Sequence, residues 1–165
     1  MLACVDVDYR DNGAVAACVL FQAWGDSESA AECIEQVAQV ETYQPGQFYR
    51  RELPCLLSLL ARIKEPLETI VIDGYVWLGD ETKPGLGAHL FEALGRNVPV
   101  VGVAKSRFAG AEAETVCRGS SRRPLYVSAA GMDRQTAARH IQSMHGPYRI
   151  PTLLRKVDQL CRRSE

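Results

Sequence analysis

Three carboxylates stand out by type and place. Asp6 lies in the apolar run ACVDVDYR, Glu52 lies in QFYRRELP, and Asp73 closes the β-branched run TIVID just before a glycine. Residues two apart on a strand share a face, so Asp6 and Asp8 point one way while Val5 and Val7 point the other. A solvated strand face is the ordinary use of such a pair. The rest of this strand is apolar, however, and a carboxylate in a buried strand needs a hydrogen-bond network or a cation. Asp73 sits at a strand's carboxyl end, where ligands collect in parallel sheets. Glu52 falls in the first turn of a helix, where the dipole favours a carboxylate, so taken alone it reads as a capping residue. Three carboxylates converging at one end of a sheet repel one another and are tolerated around a hard divalent cation. Mg²⁺ prefers oxygen ligands and keeps several waters. Such an ion can activate a water and stabilise a leaving oxygen in phosphodiester cleavage, so a nuclease-like centre is the simplest purpose.

The elements that must position these groups follow from periodicity. Asp11-Asn12-Gly13 supplies a turn, and Ala14 to Trp24 resumes an apolar run, which predicts a β-hairpin; Cys33 to Thr42 alternates as a third strand. Tyr49 to Lys64 carries apolar residues at helical spacing, with Pro54 tolerable only near the first turn. Thr69–Asp73 and Val98–Val103 read as buried parallel strands joined by a helix over Gly85–Gly95. A short strand at Leu125–Ser128 and helices near Asp133–Met144 and Pro151–Arg163 complete the chain. The order predicts an α/β fold, a mixed sheet with an antiparallel three-strand start and helices packed on it.

The length of 165 residues, nearly half of them hydrophobic, suits one domain spanning 1–165. The net charge of −1 hides an asymmetry. Up to Ala104 there are 7 basic and 15 acidic residues, and beyond it 12 basic and 5 acidic. The basic part suits a polyanion, or else neutralises the acidic part across the fold. Six cysteines without CxxC spacing read as free thiols, and neither disulfides nor zinc are expected. No signal-peptide pattern and no apolar run of membrane-spanning length occurs, so a soluble, cytoplasmic protein with no membrane partner is expected. The loop Gly119-Ser120-Ser121-Arg122-Arg123 is expected to be mobile.

The chain resembles the endonuclease V family along most of its length. VPVVGVAKSRFAG at Val98 to Gly110 is similar to the family's GVAK segment and puts Lys105 where a lysine approaches the scissile phosphate. TYQPGQFYRRELP resembles the YxPG segment followed by RE, which places Tyr43, with Pro45 and Gly46, at the aromatic wedge and Glu52 at a metal-binding carboxylate. CVDVDY and VIDG align Asp6 and Asp73 with the catalytic aspartates, and YRIPTLLRKVDQL puts Asp158 where members carry a further metal-side residue. The resemblance implies a ribonuclease H-like fold and a Mg²⁺-dependent endonuclease, with Mn²⁺ as a substitute. It also implies incision on the 3′ side of a deaminated base such as inosine, in DNA or RNA. A wedge tyrosine can stack where a base is everted, and an ammonium beside carboxylates can orient a phosphate; a core aromatic and a snorkelling lysine are the competing readings.

Departures from the pattern set further expectations. Tyr75 stands at a histidine position, and the segment to Lys83 is rewritten, although Gly85, Gly87 and His89 recover the pattern. Another usual histidine is replaced in Gly131-Met132-Asp133, Asp8 stands where a small residue is usual, and, with Met1 almost at the first strand, the helix that ordinarily precedes that strand is not expected. Tyr75, Gly85 and His89 are expected at the base pocket, with Tyr75 and Trp77 able to stack, and specificity is expected to be relaxed. Arg118, Arg122 and Arg123 are expected in the nucleic-acid footprint. The competing functional reading is a binding module on the same fold that has lost turnover.

Overall fold

The computed structural model describes residues 1–38, 42, 44, 45, 47 and 49–163. Strands β1 (Leu2–Arg10), β2 (Gly13–Phe21) and β3 (Ala31–Val37) form an antiparallel meander. On the other side of β1, β4 (Thr69–Asp73) and β5 (Val100–Ala104) run parallel to it and to each other. β7 (Leu125–Ala130) then pairs antiparallel to β5 and carries β6 (Glu114–Val116) at the far edge, giving the order β3-β2-β1-β4-β5-β7-β6. Helices α1 (Tyr49–Leu60) and α2 (Leu86–Ala93) cover one face, and α3 (Arg134–Ser143) and α4 (Thr152–Arg163) the other. The central strands are apolar without alternation because both faces are covered. Along β1, Ala3 and Val5 pack with α1 and α2, whereas Leu2 and Cys4 pack beneath α3 and α4. Asp6 continues the second series by alternation.

Several boundaries differ from those expected, each for a local reason. Helix α1 stops at Leu60, not Lys64, because Arg62 and Ile63 donate to carbonyls three residues back, tightening the last turn before Pro66. Strand β7 runs on to Ala130 because Ala129 and Ala130 pair with Val101 and Val100, and Gly131, at φ +79°, then turns the chain. β3 begins two residues early and ends at Val37, short of the expected Thr42: Ala38 and Thr42 are not in the strand, and residues 39–41 between them lie outside those described. β6 was not foreseen: three residues on an edge are too short for a periodic signal. The six cysteines are free, and no helix among the described residues is long and apolar enough to cross a membrane.

Two register features create the site. The parallel pairing of β1 with β4 ends at Val5 opposite Ile72, while β1 continues to Arg10 on β2 alone. Asp6 and Asp73 therefore leave the ladder side by side, where the sheet thins and helices from both faces reach its end.

Candidate active site

Asp6 and Asp73 line two hollows at once. One is a narrow gap of about 10 Å³ shared with Glu52, Leu56 and Leu86; the other is a cleft of about 270 Å³ under α4, lined by Lys105, Arg149, Leu154 and Asp158. α1 thus brings Glu52 in from one face of the sheet and α4 brings Asp158 in from the other. Lys105, just past β5, donates from Nζ to Oδ2 of Asp73 at 2.9 Å. Asp158 accepts from Arg162 Nε at 2.9 Å, one turn along α4. The structure brings together all five residues expected at the centre.

The electrostatics follow from that crowding. Burial, then the charge on Asp73, pushes the Asp6 carboxyl up to about 6, against the hydrogen bond it accepts from Val7 N–H. Burial, then Asp6 and Asp73, pushes Glu52 up to about 7, with Arg51 pulling the other way. Burial pulls Lys105 down, but the Asp73 hydrogen bond and the charges of Asp73, Asp158 and Asp6 lift it above its ordinary value. Shared carboxylate charge of this kind is relieved by a cation or by protons.

Among the described residues, no three His, Cys, Asp or Glu side chains stand as a closed metal cage. The chemistry of the donors nevertheless fits a hard cation. They are carboxylate oxygens, with Asp6 and Glu52 already raised first by burial and then by neighbouring carboxylate charge, around a gap with room for one water-sized body. Asp8 takes no part in that gap; it pairs with Arg10 at 3.3 Å, and Arg10 donates to the carbonyls of Cys161 and Arg162, tying the end of α4 to β1.

The other expected residues are placed unevenly. Tyr43 and Gly46 lie outside the described residues, and Pro45 is exposed in a turn ahead of α1. His89 stacks on Tyr49 with ring centroids 3.7 Å apart, joining α2 to the start of α1 one turn before Glu52. Gly85 is buried, and its N–H donates to Val76; a Cβ there would lie 2.8 Å from the Tyr75 carbonyl, so this glycine serves a close backbone approach. Tyr75, expected to stack on a base, spends its hydroxyl on the backbone of Ser106 and Phe108 and leans its ring on Phe108. Trp77 donates its indole N–H to Ala129 and lines a separate hollow with Glu81, Glu112, Glu114 and Arg134, where Arg134 pairs with Glu112 and Glu114. Asp133, at the altered histidine segment, caps α3 through Thr136 N–H.

Arg122 and Arg123 are exposed, but Arg118 corrects the expectation made for it. It is 3% exposed, and its guanidinium donates to the carbonyls of Met144, Gly146, Tyr148 and Arg149, so it staples the α3–α4 connection and has no face left for a phosphate. Sequence reasoning missed Arg149, which donates to the carbonyls of Lys105, Arg123 and Pro124. Its only signal was its place in YRIPTLLRKVDQL.

Comparison with known proteins agrees with the geometry. The family model for Endonuclease V matches residues 1–122. Endonuclease V of Streptomyces avermitilis is 32% identical over 97% of this chain and 78% of its own length. The crystal structure of the S. avermitilis protein superposes with a TM-score of 0.78 at 29% identity, covering 98% of this chain and 79% of that one. Human ENDOV, at 24% identity and a TM-score of 0.78, covers 98% of this chain and 82% of that one. Ciona intestinalis endonuclease V in complex with inosine-containing DNA, at 19% identity and 0.77, covers 98% and 83%. These last two share the fold, and the sheet described above is accordingly ribonuclease H-like. By sequence and architecture together, this chain belongs to the endonuclease V family.

Proposed function

We propose that the chain is a divalent-cation-dependent endonuclease that hydrolyses one phosphodiester on the 3′ side of inosine or another irregular base in DNA or RNA. Family membership supports a nuclease. The observation that carries the finer reading is the convergence of Asp6, Glu52 and Asp73 on one small gap, with Lys105 held on Asp73 from the adjoining cleft. Asp6, Glu52 and Asp73, with Asp158 across the cleft, would hold the Mg²⁺ or Mn²⁺ ion. When bound, the ion supplies charge neutralisation for the phosphate and a water of lowered pKa.

The chain's own residues do the rest. Lys105 meets the phosphate with an ammonium fixed in place, so its stabilisation of developing negative charge needs no reorganisation at the moment of reaction. Arg122 and Arg123 add exposed charge for the flanking backbone, and the resemblance assigns Tyr43, with Pro45 and Gly46, the wedge role at an everted base. The rewritten segment from Tyr75 to Lys83, with Tyr75 at a histidine position, supports relaxed reading of the base.

A second reading, a binding module without turnover, is favoured by one observation, the lack of a closed ligand set among the described residues. Incubation of an inosine-containing strand with protein and Mg²⁺ separates the two. A single incised product supports the nuclease, and salt-dependent binding without product supports the module.

A further inference from the structure

Tyr75 has the geometry of a latch. Its hydroxyl has one proton to give and lone pairs to receive one, and both capacities are used on the same short loop. It donates to the carbonyl of Ser106 at 2.8 Å and accepts from the N–H of Phe108 at 3.0 Å. Ser106 directly follows Lys105, and Phe108 lies two residues further on. From the opposite side, Arg149 donates to the carbonyl of Lys105 itself, and Arg149 is in turn held by its own carbonyl's bond from buried Arg118. The backbone that aims the ammonium is thus gripped at residues 105, 106 and 108 by two side chains from separate parts of the fold.

A latch positions only if its root is rigid, and this one is fixed on both sides. Gly74 N–H donates to the Val103 carbonyl at 2.9 Å, Val76 N–H donates to the buried hydroxyl of Ser128 at 2.9 Å, and Gly85 N–H donates to the Val76 carbonyl at 2.8 Å. The segment crosses β5 so closely that a Cβ on Gly102 would stand 2.5 Å from the Gly74 carbonyl and 2.9 Å from Val76 N, so glycine is required there. Tyr75 therefore stands on a base set by β4, β5 and β7, and its ring spans outward to the loop.

We propose that Tyr75 is a positioning residue for the reaction: through its two hydrogen bonds to the 106–108 backbone it holds Lys105 at the angle that meets the scissile phosphate. This rests on the catalytic reading of Lys105 given above. Displacement of a catalytic group by about 1 Å can cost as much as about 100-fold in rate. Tyr75→Phe removes both bonds while keeping the ring against Phe108, so a loss of about tenfold in single-turnover rate is expected, with KM within about twofold of wild type.

The test is a double-mutant cycle on single-turnover cleavage of an inosine-containing strand with Mg²⁺, using wild type, Tyr75→Phe, Lys105→Ala and the double variant. A residue that acts through Lys105 has nothing left to act on once the ammonium is gone, so Tyr75→Phe should cost less than about twofold in the Lys105→Ala background. Amide hydrogen exchange without substrate supplies an independent readout: the Phe108 N–H should exchange faster in Tyr75→Phe, with the β5 amides unchanged. An equal loss in both backgrounds, or unchanged Phe108 exchange, would overturn the latch while leaving Lys105 catalytic. A Lys105→Ala protein as fast as wild type would overturn the reading of Lys105, and the latch with it.

Discussion

Replacing Asp6 by asparagine should make the metal-free protein more stable while ending its activity. In the fold the Asp6 carboxyl is pushed from 3.8 up to about 6, first by burial and then by the charges on Asp73 and Asp158. The folded state then binds a proton more tightly than the unfolded chain. Its contribution to stability is fully present below about pH 4 and is lost as the pH rises through about 6. At about 1.4 kcal/mol for each pH unit separating the two values, keeping Asp6 ionised costs roughly 3 kcal/mol near pH 8 and roughly 1 kcal/mol near pH 4.5. Asparagine keeps an oxygen for the Val7 N–H, which now bonds Asp6 at 2.9 Å, and carries no charge. For a chain of this size about 1 kcal/mol moves the melting temperature by roughly 2–4 °C. Asp6→Asn in EDTA should therefore melt about 5 °C or more above wild type near pH 8, with the gap shrinking toward pH 4.5. Mg²⁺ should raise the wild-type melting temperature near pH 8 and leave the variant unmoved. Differential scanning calorimetry of both proteins across that range reads the effect, since the difference between them contains the Asp6 charge and its coupling to Glu52. A variant less stable than wild type near pH 8, or a gap independent of pH, would refute the electrostatic account of this centre.

Other expectations test other parts of the molecule. Lys105→Ala should lower the single-turnover rate by about 100-fold and change binding by less than about threefold, read by quench-flow and filter binding; strong loss of affinity at an unchanged rate would make Lys105 an anchor. Neutralising Arg122 and Arg123 should flatten the slope of log affinity against log salt by about 1–2, and an unchanged slope would move the footprint elsewhere. Arg118→Met should instead lower the melting temperature and leave that slope alone, because its guanidinium serves four backbone carbonyls. In competition at matched salt, inosine, a mismatch and undamaged duplex should be discriminated weakly, and an exclusive preference for inosine would show a strict pocket.

The centre was legible in the sequence because its residues sit at places that strand and helix patterns mark: Asp73 at the end of TIVID, Asp6 within an apolar strand, and Glu52 in the first turn of a helix. Sheet order then brought them together, since only the parallel pairing of β1 with β4 puts Asp6 beside Asp73. Asp158 was legible only through the resemblance; nothing in an amphipathic helix distinguishes one polar position from the next. Arg118 was misread because composition counts charge without burial, and the carbonyls that absorb it come from residues 26 to 31 positions away. The hydroxyl contacts of Tyr75 are not legible in the sequence, because their partners, Ser106 and Phe108, lie beyond another strand. β6 escaped because three edge residues carry no period.

The most direct test of the account is a single-turnover reaction on an end-labelled strand carrying one inosine, run with Mg²⁺ and with EDTA, for wild type and Asp6→Asn. One product is expected from the wild-type protein with Mg²⁺ alone, cut on the 3′ side of the inosine and bearing 3′-hydroxyl and 5′-phosphate ends, with none from the variant. Cleavage that persists in EDTA or in Asp6→Asn, or binding of the strand with no product under any condition, would contradict the claim that these carboxylates run a metal-dependent nuclease.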